Sequence, residues 1–198
     1  MKIKILIADD HSILREGLKN LFEGQTDITV EDGAADGREA VRKAKVLQPN
    51  LILMDINMPH LNGMEATRII KKHWPNIRII ALSVYYERQF ISGMLKAGAS
   101  GYLIKTSTFS EILGAVKQVM RGGFALDRHA RNVIFKDYRR LLSEKNPGLE
   151  SLSEQQKKIM NACIAGTSLK SVAGKLKLEP KETIQLYSDM VRNWLSMV

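Results

Sequence analysis

Five short aliphatic runs, each followed by a helix-like stretch, constrain most tightly what this chain can fold into. Ile3–Ala8, Ile28–Ala34, Asn50–Met54, Ile77–Leu82 and Gly101–Ile104 are rich in β-branched or aliphatic residues. Several are apolar without interruption, the pattern of parallel strands covered on both faces. Between them apolar residues recur every three or four positions, as in Ile13, Leu14, Leu18, Leu21 and Phe22, or Ile112, Leu113, Val116, Val119 and Met120. That spacing is one face of a helix. The alternation predicts an α/β fold with a doubly wound, five-stranded parallel sheet and right-handed crossovers. Ligands of such sheets bind beyond the carboxyl ends of the strands.

The alternation stops at Gly122-Gly123, glycines suited to a helix C-terminus. Residues 122–150 read as a linker, partly helical, with Ile134, Tyr138, Leu141 and Leu142 on one face and a turn at Asn146-Pro147-Gly148. Residues 151–198 carry helical patterns only. Ser153 and Gln156 have capping-box spacing, Gly166 ends that helix, Ser168 caps a second and Pro180 opens a third. The chain therefore divides into a domain over 1–121, a linker over 122–150 and a small all-α domain over 151–198.

No apolar run is long enough to cross a bilayer, and the N-terminus reaches Asp9-Asp10 without a cleavage site. With a single cysteine, Cys163, a disulfide framework is excluded, and a reducing cytoplasm is expected with no membrane partner. His11, His60, His73 and His129 are scattered and show no zinc-like spacing. The net charge is +9; residues 1–121 hold 17 Lys+Arg against 13 Asp+Glu, and residues 122–198 hold 13 against 8. The shorter C-terminal part is the more basic per residue, which suits a nucleic-acid partner but suits a solvated surface about equally.

Four strand ends carry residues that packing alone does not call for. The first strand runs into Asp9-Asp10, the third into Asp55, the fourth into Ser83 and the fifth into Lys105. In a parallel sheet these positions share one edge. Clustered carboxylates repel and raise one another's pKa values. A divalent cation removes that penalty, and hard oxygen ligands favour Mg²⁺. A carboxylate so neutralised can act as a nucleophile toward a phosphoryl donor, a transfer that needs mainly positioning and charge neutralisation. Singly, an aspartate after a strand is a turn former or cap and a lysine is a solvated charge; together they argue for a site. An Asp-x-Asp phosphatase of the haloacid-dehalogenase kind does not fit Asp9-Asp10-His11. A dinucleotide-binding enzyme does not fit a first turn whose one glycine is Gly17.

In order and separation, IADDH, LILMDINMP, ALS and GYLIK resemble the flavodoxin-like receiver domain of two-component response regulators, across essentially all of residues 1–121. The resemblance implies that Asp55 is the phosphoacceptor. It implies that Asp10, Asp55 and the backbone carbonyl of Asn57 hold Mg²⁺, with Asp9 acting through water. Lys105 contacts the phosphoryl group, and Ser83 and Tyr102 form a switch pair. Tyr85, two residues past Ser83, stands where the family gates water, and its bulk is expected to slow hydrolysis of the phosphate. Thr106 replaces a common proline. Such a protein is a phosphoacceptor and not an enzyme, with at most autophosphorylation from small donors and autodephosphorylation.

Residues 152–195 resemble the LuxR/NarL-type helix-turn-helix, through Leu152-Ser153, Ile159, Ala165-Gly166-Thr167-Ser168, Lys170, Ala173, Leu176, Leu178, Pro180 and Thr183-Ile184. The resemblance implies that Lys181, Thr183, Gln185 and Tyr187 face DNA while Lys170 and Arg192 contact phosphates. Gln185, Tyr187, Ser171 and Gln155-Gln156 depart from the family pattern, and Glu182 and Asp189 offset the charge of the recognition helix. The resemblance implies an output domain that lacks the family's last helix, which is expected to leave Met190, Trp194 and Met197 uncovered. The implied function is transcriptional control by phosphorylation-dependent DNA binding, with a sensor histidine kinase as phosphodonor and a homodimer formed on phosphorylation. The alternative is a degenerate output domain that acts through protein–protein contact, with weak or no DNA binding.

Overall fold

Uninterrupted aliphatic runs become strands that are buried on both faces. In the computed structural model, which describes residues 2–144 and 152–198, β1 (Ile3–Ala8), β2 (Ile28–Ala34), β3 (Leu51–Asp55), β4 (Arg78–Ser83) and β5 (Gly101–Ile104) pair in parallel. Every residue of β3, the central strand, is buried. Helices α1 (Ser12–Glu23), α2 (Gly37–Leu47), α3 (Gly63–His73), α4 (Arg88–Lys96) and α5 (Phe109–Met120) make the crossovers. On one face Leu18 and Phe22 of α1 and Ile112, Val116 and Val119 of α5 pack on Ile5, Ile7, Leu53, Ile80 and Leu103. Phe22 meets Phe109 edge-on, with centroids 5.0 Å apart. Helices α2, α3 and α4 pack against the sheet as well, burying Ala40, Ala44, Ala66, Ile70, Ile91 and Met94.

The strand order is β2-β1-β3-β4-β5-β6. The winding reverses between β1 and β3, so the crossovers leave a crevice outside the carboxyl ends of those two strands. Ala8 is in register with Met54, which sets Asp9 and Asp55 side by side at that rim. The sheet has six strands where the sequence predicts five. The sixth, β6 (Ala125–Leu126), sits at the edge, with the Ala125 N–H donating to the Ser100 carbonyl at 3.0 Å. Two residues are too few to show a periodicity.

Two compact units divide the chain, Met1–Ala125 and Leu126–Val198. The segment read as a linker supplies a long helix, α6 (Arg128–Glu144), to the second unit. There it packs against α7 (Glu154–Ile164) and α9 (Pro180–Met197), burying Ile134, Phe135 and Tyr138. The expected turn at Asn146-Pro147-Gly148 lies outside the described residues. Ser153 and Gln156 cap α7 reciprocally, Ser168 caps α8 (Leu169–Leu176) through the Ser171 N–H, and Pro180 is the first residue of α9.

The start of α3 bears directly on the rim. The Gly63 N–H donates to the Ile56 carbonyl at 2.9 Å, and a Cβ on Gly63 would lie 1.8 Å from the backbone oxygen of Asp55. Backbone on both sides cannot yield as a flexible side chain would. Gly63→Ala should therefore cost about 3 kcal/mol, the upper end of ordinary overpacking costs. The check is the urea midpoint of the N-terminal unit; an unchanged midpoint would contradict the close approach.

Candidate functional site

Asp9 and Asp10 follow β1, Asp55 ends β3, Ser83 ends β4 and Lys105 follows β5, so the parallel sheet delivers all five to one rim. The Lys105 ammonium joins them. Its Nζ lies 2.8 Å from Asp55 Oδ2 and 2.7 Å from Asp9 Oδ2. Both carboxylates are nearly fully buried, while Asp10 lies at the solvent edge. Burial pushes the Asp55 carboxyl above the ordinary range, and the Asp9 charge adds to the rise, against the opposing hydrogen bond and charge of Lys105. For Lys105 burial alone would lower the pKa, but its bonds to Asp55 and Asp9 outweigh it and hold the ammonium above its ordinary value.

The remaining Asp55 oxygen, Oδ1, faces the Asn57 N–H at 3.4 Å. Asp9, Asp10, His11 and Asp55 each offer a ligand atom within 4.8 Å of the others, a donor set able to hold a divalent metal ion. His11 is the member that spacing did not reveal. It directly follows Asp9 and Asp10, and only Asp55 is brought in by the sheet from another strand. A cleft of about 610 Å³ opens beside the cluster, lined by Asp55, Asn57 and Lys105 at one end and by Ile13, Leu14 and Leu21 of α1 at the other.

Ser83 and Tyr102 meet through one residue. The Tyr85 N–H donates to Ser83 Oγ at 3.0 Å, and the Tyr102 hydroxyl donates to the Tyr85 carbonyl at 2.9 Å. The Tyr102 ring is fully buried. The Tyr85 ring stacks on Phe90 of α4, with centroids 4.3 Å apart, and the residue of this loop that lines the cleft is Val84. The expectation that Tyr85 shields the rim is thus not supported by where its ring lies.

In the second unit the residues expected to face DNA divide between two sides of α9. Lys181, Gln185 and Arg192 are exposed, as is Lys170 on α8. Thr183 and Tyr187 are buried, which corrects their assignment as DNA-facing. The helical period explains it. Thr183, Tyr187, Met190, Val191 and Trp194 fall on one stripe, and that stripe is the core. The Thr183 hydroxyl donates to the Glu179 carbonyl at 3.2 Å, and the Tyr187 ring meets Phe135 of α6 edge-on. Met190 and Trp194 are likewise buried and not uncovered, because α6 packs over α9 and Trp194 Nε1 donates to Asp137 Oδ2 at 2.9 Å. On the outer face Gln185 Nε2 and an Arg192 guanidinium nitrogen both donate to Asp189 Oδ1, at 2.9 and 2.6 Å.

Ionised Asp55 opposes folding of the metal-free protein. With its pKa raised by folding, its share of stability is fully present below the ordinary unfolded value and is lost as pH rises from there through the raised folded value. At pH 7.5 in EDTA, Asp55→Asn should therefore raise the melting temperature, by about 2–4 °C for each kcal/mol gained, while Lys105 keeps its bond to Asp9. Thermal melts of the two proteins check this, and a lower melting temperature for the variant would contradict it.

Residues 5–117 match the response regulator receiver domain family. The chain is 38% identical to the transcriptional regulatory protein DegU of Brevibacillus brevis over 143 residues, 72% of this chain and 61% of that protein, less than two thirds of its length. It is 30% identical to the response regulator GacA of Pseudomonas syringae pv. syringae over 196 residues, covering 98% of this chain and 90% of the relative. A crystal structure of a LuxR-family two-component response regulator from Aurantimonas sp. SI85-9A1 is similar with a TM-score of 0.60 and 34% identity, over 63% of this chain and 89% of that one. With the acid cluster and its lysine at the switch point of a parallel sheet, these likenesses place the chain in the response regulator family, among its LuxR/NarL-type members.

Proposed function

We propose that the chain relays a signal by accepting a phosphoryl group on Asp55 from a sensor histidine kinase and controls transcription through its helical unit. The observation that carries this reading is the Lys105 ammonium bridging Asp55 and Asp9, at 2.8 and 2.7 Å, beside the Asp10 carboxylate. A carboxylate oxygen of Asp55 attacks phosphorus, an O–P bond forms, and the P–N bond to the donor histidine breaks with its electron pair left on that ring. Lys105 is placed to turn its ammonium from the Asp55 carboxylate to the phosphoryl oxygens. Asp10, Asp55 and the Asn57 carbonyl would hold Mg²⁺, with Asp9 acting through water; the all-oxygen donors fit a hard cation. Bound there, Mg²⁺ supplies positive charge to the crowded carboxylates and to the incoming phosphoryl oxygens.

Ser83 and Tyr102 serve as the switch pair in this reading. A phosphate on Asp55 draws the Ser83 hydroxyl toward it, and the Tyr85 peptide, bonded to both side chains, moves with it. The phosphate favours whichever conformation binds it better, and populations shift accordingly. The protein acts as a homodimer when phosphorylated, works in the cytoplasm and turns over no substrate beyond its own phosphorylation and dephosphorylation. No described helix is long and apolar enough to cross a membrane.

DNA is read by the exposed side of α9, with Lys181, Gln185 and Arg192 outward and Lys170 of α8 beside the backbone. A second reading, an output unit that binds protein instead, is favoured by one observation. Asp189 accepts from both Gln185 and Arg192 and so occupies two of the groups that DNA would need.

Intact-mass measurement after incubation with Mg²⁺ and a small acyl phosphate should show one phosphoryl group on the wild type and none on Asp55→Asn. Equal modification of both would overturn the assignment. Asp189→Ala should tighten binding to a promoter fragment several-fold at low salt, because removing one charge beside the phosphates changes affinity by about 1 kcal/mol and steepens the salt dependence. A gel-shift salt series reads this, and no binding by either protein at any salt concentration favours the protein-binding output.

A further inference from the structure

His11 follows Asp9-Asp10 directly in the chain, and neither packing nor a side-chain cap bond accounts for the turn of its ring toward their carboxylates. Its ring Nδ1 lies 2.7 Å from Asp10 Oδ1 and 3.1 Å from Asp9 Oδ1. The side chain is 69% exposed, so burial does not hold the ring there. His11 occupies the N-cap of α1 but makes no side-chain cap bond, whereas Asp36, Asn62 and Thr108 cap α2, α3 and α5 with their side chains. What fixes His11 is its backbone N–H, which donates to Asp9 Oδ1 at 2.9 Å and closes the turn after β1.

The cluster divides its oxygens between two cationic or donor groups. Lys105 takes the Oδ2 atoms of Asp9 and Asp55, and the imidazole takes the Oδ1 atoms of Asp9 and Asp10. The 2.7 and 3.1 Å contacts of Nδ1 with the two carboxylates keep the ring in a group whose ligand atoms all lie within 4.8 Å of one another. A ring nitrogen at this position therefore stands as a fourth potential ligand from protein side chains, in a cluster whose other donors are carboxylates.

We propose that His11 is a ligand of the divalent cation at this site, and that its nitrogen gives the site a preference for borderline transition-metal ions such as Ni²⁺ and Zn²⁺ over Mg²⁺. The inference rests on the reading of the cluster as the cation site of a phosphoacceptor. Carboxylates and water suit Mg²⁺ and Mn²⁺ alike, whereas an imidazole adds most to ions later in the transition series. Ligation uses the lone pair of Nδ1, in the tautomer that carries the ring proton on Nε2. A cell's supply of such ions would then bear on how readily Asp55 is phosphorylated.

Calorimetric titration of the untagged full chain with Ni²⁺ and with Mg²⁺ tests the proposal. In His11→Asn, which keeps a polar N-cap residue but removes the ring, the ratio of Ni²⁺ to Mg²⁺ affinity should fall at least tenfold. His11→Ala should give the same fall. Electron-spin-echo spectra of the Mn²⁺-loaded wild type should carry nitrogen modulation that His11→Asn lacks, with His60, His73 and His129 retained as internal controls. Equal losses for both ions, or no nitrogen modulation in the wild type, overturn the His11 assignment and leave the phosphoacceptor reading standing. If neither Mg²⁺ nor Ni²⁺ binds the wild type, and an acyl phosphate adds no mass, the phosphoacceptor reading fails and the inference fails with it.

Discussion

The bridge from Lys105 to Asp55 and Asp9 is the interaction on which the N-terminal unit's chemistry depends. Two nearly buried carboxylates on neighbouring strands repel each other, and burial further disfavours their charge. The ammonium, 2.8 and 2.7 Å away, offsets part of that cost and leaves the outer oxygens turned toward Asp10, His11 and the Asn57 N–H. The cluster at the rim is a donor set able to hold a divalent cation.

The fold makes such a rim possible by ordinary means. Parallel strands end together, and reversal of winding between β1 and β3 leaves their ends uncovered. Gly63 lets α3 begin against the backbone of Asp55. After β4, Tyr85 ties Ser83 to Tyr102 by its peptide groups and stacks on Phe90, so hydrogen bonds and a ring stack join the rim to α4.

The second unit is organised around a different buried polar contact. Trp194 Nε1 donates to Asp137, which also accepts from Arg140, and this joins α9 to α6 at the centre of an apolar interface. Helix α6 thereby covers the inner stripe of α9, including Tyr187 and Met190. What remains outward on α9 is polar and nearly neutral, because Asp189 binds both Gln185 and Arg192.

Strand and helix order, the five rim residues and the caps at Ser153, Ser168 and Pro180 were legible from local pattern, because each depends on residues adjacent in the chain. The two-residue β6 was too short to register. Which side of α9 faces outward was not legible, since Thr183 and Tyr187 look polar in sequence and are buried only once α6, α7 and α8 pack against α9. His11 stood beside Asp9 and Asp10 in the sequence, but the direction of its ring, toward their carboxylates and the Asp55 that β3 supplies, is a matter of the fold. Local sequence determined the elements and the charges at their ends through periodicity and capping. The tertiary structure decided which of those charges meet and which polar residues are withdrawn from water, because contacts between distant segments exist only after the sheet and the helix pairs have closed.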